Sequence, residues 1–217
     1  LLVYIDRKGK WWLLDDWQEN LDSHKGAEVM LLPGEGSIIV PAENKQLQIG
    51  VGFPVLHGEN GHEDGVVQGL MSMVHIPVIG CGIGASAVCW DKLYTKQLLS
   101  QGGINVTPYV VYRSGEKMPK YTELTQTLSE VLFVKPTTAG SSVGVSKVKN
   151  AEELEAAITL ALKNSNTVLI EKAIIGRELE VAVLGTPPNH KVSGVGEIMP
   201  GEEFYSYDDK YSEDSKA

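Results

Sequence analysis

Apolar and polar residues recur first with the short period of strands and only later with that of helices. "LLVYI" and "KWWLL" flank the turn-rich "DRKG", which predicts a hairpin. From "QEN" to "ENK" the chain holds turn residues and strand-like pieces with no helical period. "LQIGVGFPVLHG" then predicts a buried parallel strand ending near His57. After a glycine-containing loop, Val67, Leu70, Met71 and Val74 fall at helical spacing, and "IPVIG" predicts another short strand. Strand, loop, helix and strand in succession are the α/β signature. Ligands of such sheets gather at the carboxyl ends of strands, where His57 falls.

The second half has clearer periods. "SAVCWDKLYTKQLLSQGG" predicts one helix with Ser86 as N-cap and the glycine pair as its stop. Trp90, Leu93, Tyr94 and Leu98 form one face, and Lys92 and Lys96 lie four apart on another. "VTPYVVYR" predicts a strand, "GEKMPKYTEL" a connector, and "EVLFVK" a strand stopped by Pro136. "NAEELEAAITLALK" is the clearest helix, with Asn150 as cap, Glu153 at the capping-box position and a stripe of Leu154, Ala157, Ile158, Ala161 and Leu162. "TVLIEKAI" predicts a strand. In "RELEVAVLG", Leu179, Val181 and Val183 face one way and Glu178 and Glu180 the other. "TPPNH" turns the chain into "KVSGVGEI", so alternating strand and helix give way to antiparallel strands.

Composition narrows the class. The 217 residues are 42% hydrophobic and 22% charged, as in ordinary globular proteins. The net charge of −9 disfavours nonspecific nucleic-acid binding, which needs clustered Lys and Arg. The apolar runs are too short to span a bilayer. Two cysteines, Cys81 and Cys89, imply free thiols in a reducing cytosol. The opening "LLVYIDRKGK" has no initiator Met and no signal-peptide pattern, and with the close "KYSEDSKA" it reads as the middle of a longer chain.

Four stretches could carry chemistry. In "KPTTAGSSVGVSK" Lys135 ends a strand, where its ammonium could meet a phosphate, and Gly140 and Gly144 allow close backbone approach. Ser141, Ser142 and nearby N–H groups could form an anion nest. The lysine precedes the glycines, so this is not a Walker A loop. Taken alone, the loop fits an anion cradle and a hairpin with a solvated lysine equally well. "HGENGHEDG" gathers His57, His62, Glu63 and Asp64 in no metal-ligand spacing, and reads as a substrate loop or a capped helix start. "LIEKAIIGRELEV" puts Glu171 and Lys172 at one strand end and Glu178 at the next, where a carboxylate could accept from a nucleobase amine or ribose, or serve as a charged connector. "FYSYDDKYSEDSK" fits either a lid that excludes water from reacting phosphates or an acidic tail.

In this order, "PVLHGENGHEDGVVQG", "IGCGIGASAVCWDKLYTK", "FVKPTTAGSSVGVSKVKNAEELEAA", "VLIEKAIIGRELEVAVLG" and "FYSYDDKY" resemble the D-alanine–D-alanine ligases of the ATP-grasp superfamily. The resemblance implies a mixed α/β and α+β architecture: a Rossmann-like substrate domain over 1–88, a central ATP-grasp subdomain over 89–172 and the start of a C-terminal subdomain with its lid over 173–217. It implies ATP-dependent ligation of two D-alanines through an acyl phosphate, for peptidoglycan precursors in the bacterial cytoplasm, by a homodimer that binds neither nucleic acid nor membrane. D-Alanine–D-lactate ligation and an inactive nucleotide-binding paralogue are the rival readings. By the same resemblance Lys92, Lys135 and Ser142 serve the nucleotide's phosphates. Glu171, Lys172, Ala173, Ile174 and Glu178 serve its adenine and ribose. Ser141, Lys210 and Tyr211 are catalytic or lid residues, and His57 lies beside the first D-alanine. ATP and Mg2+ or Mn2+ are the implied cofactors. The metal carboxylates, an asparagine ligand and an arginine are expected beyond Ala217, so the segment alone is expected to be inactive. The "HGENGHEDG" loop is one residue longer than the family's usual spacing.

Overall fold

A computed structural model describes residues 1–17, 19–23 and 26–199, which divide into two compact units, Leu1–Cys89 and Trp90–Ala217.

In the first unit β1 (Leu2–Ile5), β2 (Trp11–Leu14), β3 (Ala27–Leu32), β4 (Ser37–Val40) and β5 (Lys45–Gln48) form an antiparallel meander in chain order. The first hairpin forms as its pattern predicts. Asp6 Oδ1 accepts from the N–H groups of Lys8 (2.8 Å) and Lys10 (3.0 Å), and Gly9 takes the left-handed conformation that closes the turn. Those N–H groups, the backbone of Lys10 foremost, hold the Asp6 carboxyl below its usual range. Alternation puts Val29, Ile38 and Val40 in a core flanked by Val3, Trp11, Leu13, Leu31, Leu47 and Ile49.

Helices α1 (Val66–Met73) and α2 (Ile83–Trp90) follow. The parallel strand expected over "LQIGVGFPVLHG" is reduced to one bridge, Gly52 to Val78. Val51, Phe53 and Val55 are exposed. Pro54 has no N–H for a ladder, and Gly50 and Gly52 bring no side chain to pack.

The second unit opens with α3 (Lys92–Gln101), then β6 (Tyr109–Arg113), α4 (Tyr121–Thr127), β7 (Leu132–Pro136), β8 (Ser146–Val148), α5 (Ala151–Ala161) and β9 (Thr167–Lys172). Its sheet is antiparallel, in the order β6-β9-β7-β8. Residues on one face, Tyr112, Leu132, Val134, Val148, Val168 and Ile170, pack on Leu124 of α4 and on Leu154, Ala157, Ile158 and Ala161 of α5. Each large aliphatic side chain so buried contributes roughly 1.5–3 kcal/mol. The capping of α5 is as expected: Asn150 Oδ1 accepts from Glu153 N at 2.9 Å, and the Glu153 carboxylate accepts from Lys149 N at 2.6 Å.

Two predicted elements change. "GEKMPKYTEL" is not all connector, because α4 begins within it, just after Lys120. "RELEVAVLG" is two short strands, β10 (Glu178–Glu180) and β11 (Val183–Thr186), which pair respectively with β13 (Gly196–Ile198) and β12 (Asn189–Val192). Leu179, Val181 and Val183 all stay exposed, so their alternation finds no core among the described residues.

Candidate functional site

The predicted helix over "SAVCWDKLYTKQLLSQGG" breaks at Asp91. That residue is extended (φ −92°, ψ 109°), and its Oδ1 accepts from Leu93 N (2.8 Å) and Tyr94 N (3.3 Å), capping α3. Ser86 lies inside α2 instead of capping a helix, because α2 starts three residues earlier and Gln68 Nε2 donates to the Ser86 hydroxyl at 3.1 Å.

The break has a positional result. Asp91 forms an antiparallel bridge with Thr138, and Lys92 N donates to Thr137 O at 2.9 Å. Lys92 therefore starts α3 beside the loop that follows β7, and its Nζ donates to Ala139 O at 2.6 Å. Burial, with the nearby Lys135 ammonium second, pushes Lys92 down to about 8.

The loop itself joins β7 to β8, so "KPTTAGSSVGVSK" is a hairpin in form. Its base is fixed: Thr137 N donates to Thr167 O at 3.1 Å and the side chain of Thr137 is buried beside Ser165. Ser141 (φ 52°), Ser142 (φ 61°) and Gly144 (φ 70°) are left-handed. Such a conformation is uncommon for a non-glycine residue and recurs at ligand sites. At Gly144 a Cβ would stand 2.9 Å from Asn164 Nδ2 and 3.3 Å from the Pro136 ring, so this position requires glycine.

The sheet face opposite the apolar core carries the charges. Glu171 on β9 stands in register with Tyr109 on β6 and Phe133 on β7, and Lys135 lies two residues beyond Phe133 on that same face. Lys135 is paired, its Nζ 2.6 Å from Glu171 Oε2, and the glutamate side chain is only 6% exposed. Lys96 approaches Oε1 at 2.9 Å as an ion pair but not along a hydrogen-bond direction, so Oε1 has no hydrogen-bond donor among the described residues. Lys96 and Lys135 thus pair with the buried carboxylate of Glu171, and Lys92 joins the loop backbone close enough for Asp91, Glu171 and Lys135 to act on its charge, which leaves a positive excess beside a loop with left-handed serines. That donor set fits a polyphosphate.

The remaining predicted residues are more dispersed. Lys172, Ala173 and Ile174 continue from β9, where Lys172 N donates to Pro108 O (3.0 Å) and Ala173 N to Val131 O (3.1 Å), with Ile174 exposed. Glu178 opens β10, paired by backbone register with Ile198 and exposed. Lys210 and Tyr211 lie outside the described residues. His57 belongs to the first unit, where its Nδ1 is 3.1 Å from Glu63 Oε1 and the other Glu63 oxygen accepts from Gly58 N at 3.0 Å. Asp64 accepts from Asn60 N and Val66 N, which fixes the loop to the start of α1. The imidazole of His57 is left outward, 77% exposed. No group of three His, Cys, Asp or Glu among the described residues could hold a metal ion.

Pattern alone gives no reason to connect Lys96 with Glu171. The spacing of four between Lys92 and Lys96 put both on one helical face, but only the folded sheet brings Glu171 to that face.

The family model described as D-ala D-ala ligase N-terminus matches residues 1–81, and that described as D-ala D-ala ligase C-terminus matches residues 98–217. The D-alanine–D-alanine ligase A of Chromobacterium violaceum is 43% identical over 223 residues, covering 97% of this chain and 60% of the relative. That of Escherichia coli K12 is 36% identical, covering 100% and 63%. Among solved structures, the Coxiella burnetii D-alanine-D-alanine ligase aligns with a TM-score of 0.82 and 29% identity, covering 91% of this chain and 60% of its own. The VanG D-Ala:D-Ser ligase of Enterococcus faecalis aligns with a TM-score of 0.82 and 33% identity, covering 97% and 63%. The chain spans about 60% of the length of the curated relatives it matches.

Proposed function

The chain belongs to the D-alanine–D-alanine ligase family, and on that premise we propose that the complete protein joins two D-alanines at the expense of ATP. The γ-phosphoryl group passes to the carboxylate of the first D-alanine and ADP departs. The amine of the second attacks the acyl carbon, the phosphate leaves with the electron pair of the broken C–O bond, and the amine releases its proton. The product is a peptidoglycan precursor made in the bacterial cytoplasm, and the protein works as a homodimer.

The carrying observation is the convergence of Lys92, Lys135 and the 137–145 loop on one side of Glu171. Phosphoryl transfer depends mainly on positioning and on neutralising charge, which fixed ammonium groups and a backbone-lined loop provide. In this reading Lys92, Lys135 and Ser142 hold the phosphates and Ser141 links them to the amino-acid substrate. Glu171 accepts from the adenine amine, Lys172, Ala173 and Ile174 line the base, and Glu178 accepts from the ribose. His57, steadied by Glu63, stands by the first D-alanine, and Lys210 and Tyr211 serve a lid.

The test is phosphate and ADP release by the complete protein with ATP and D-alanine, with D-serine and D-lactate compared as acceptors. D-Alanyl-D-alanine is the expected main product, and ATP consumption without any joined product would overturn the reading. Lys135→Ala is expected to weaken ATP binding roughly tenfold or more. Unchanged affinity would remove Lys135 from the phosphate site.

A further inference from the structure

We propose that Lys96 is a positioning residue that supplies Glu171 with a standing counter-charge, so that Lys135 is free to turn to the phosphates when nucleotide binds. The inference rests on the reading of Lys135 given above.

Glu171 is buried, and a buried carboxylate stripped of its only cation is strongly destabilised. With Lys135 as its sole partner, binding a phosphate would have to break that pair and leave the carboxylate uncompensated. Lys96 removes this conflict. It approaches the oxygen that Lys135 does not use: Lys96 meets Oε1 and Lys135 meets Oε2. The two lysines are also held differently. Lys96 is anchored from three further directions. Its stem rises from α3, its Nζ donates to Thr107 O at 3.3 Å, and it stands 5.4 Å from the centroid of the Tyr109 ring. Its side chain is 14% exposed, against 22% for Lys135. For Lys135, Glu171 is the one ion-pair partner among the described residues. One lysine is built in, and the other can exchange its partner for an incoming anion.

The experiment measures equilibrium binding of ATP and of inorganic tripolyphosphate to the complete protein. Tripolyphosphate has no base, so it reports the phosphate end alone. Lys96→Met, which keeps the aliphatic stem, is expected to weaken both roughly tenfold, because Lys135 then stays on Glu171. Its KM for ATP should rise while kcat at saturating ATP holds. Lys96→Arg should restore binding, and in a Lys135→Ala background Lys96→Met should cost tripolyphosphate binding less than it costs in the wild type. Should Lys96→Met not fold, Lys96→Gln takes its place.

Wild-type affinity in Lys96→Met for both probes would overturn the proposal. So would loss of ATP binding alone, which would put Lys96 at the base end. An additive loss in the Lys135→Ala background would also overturn it, since Lys96 would then not act through Lys135. A wild-type protein that neither binds ATP nor joins D-alanine would instead sink the proposed function, which keeps the two failures apart.

Discussion

At the scale of single residues, Lys92 makes the most direct prediction. Its ammonium is disfavoured by burial and by Lys135, and favoured by Asp91 and Glu171, for a net position of about 8. Bound phosphates would favour the charged form and raise that value. The sign follows: near pH 8.5 the free protein holds Lys92 partly neutral, and ATP binding draws a proton in. Above this pH the affinity falls as the cost of protonating Lys92 grows. Titration calorimetry of the complete protein in buffers of different ionisation enthalpy should show fractional proton uptake, well above the phosphate's own second pKa of about 6. Lys92→Met should abolish it, and equal uptake in that variant would place the proton elsewhere. Sequence singled out Lys135 and Glu171 at strand ends with a bland reading standing beside each, and gave Lys92 a role only through resemblance, since each is an ordinary residue at an ordinary element end. Their shared face comes from strand register, and the short-range pattern does not carry it. The link from Lys96 to Glu171 stayed hidden for the same reason.

At the scale of elements, periodicity did well wherever one face met a core. The hairpin of β1 and β2, helix α5 with its cap, and strands β6, β7 and β9 all appear where the pattern put them. It failed where a local cap overrode a continuous helical period, at Asp91, and where a proline and glycines broke an apolar run, over 49–57. Asp91 is therefore the element-level test. Asp91→Ala removes the cap of α3, which costs about 1 kcal/mol of stability by denaturant titration. It also loosens the turn that aims Lys92 at Ala139, so ATP affinity should fall beyond what the stability loss explains. Asp91→Asn keeps a capping oxygen and should recover most of both. An alanine variant with full ATP affinity would separate the cap from the site.

At the scale of the molecule, two regimes of burial sit side by side within the second unit. The β6-β9-β7-β8 sheet has a closed core, whereas Ile175, Leu179, Val181, Val183, Leu184 and Val192 lie open on and beside β10, β11 and β12. Apolar exposure on this scale marks surfaces that are normally covered. The 217-residue chain expressed alone should bind a hydrophobic dye such as ANS and show no ligase turnover, and the complete protein should bind far less dye. Equal dye binding by both, or turnover by the chain alone, would refute this. The fold class was readable at this scale because alternating strand and helix periods survive without knowledge of the ends, while the fate of β10 to β13 depends on what covers them. The loop between β7 and β8 has a different consequence, one for evolutionary drift. Its two ends are held by the β7–β8 register and by the Asp91–Thr138 bridge, and its interior is fitted around Gly144. Inserting or deleting one residue there would shift every constraint at once. Across relatives, the segment between Pro136 and Ser146 should therefore change its letters but keep its length, while gaps collect at the exposed turn around Ser114 to Lys117.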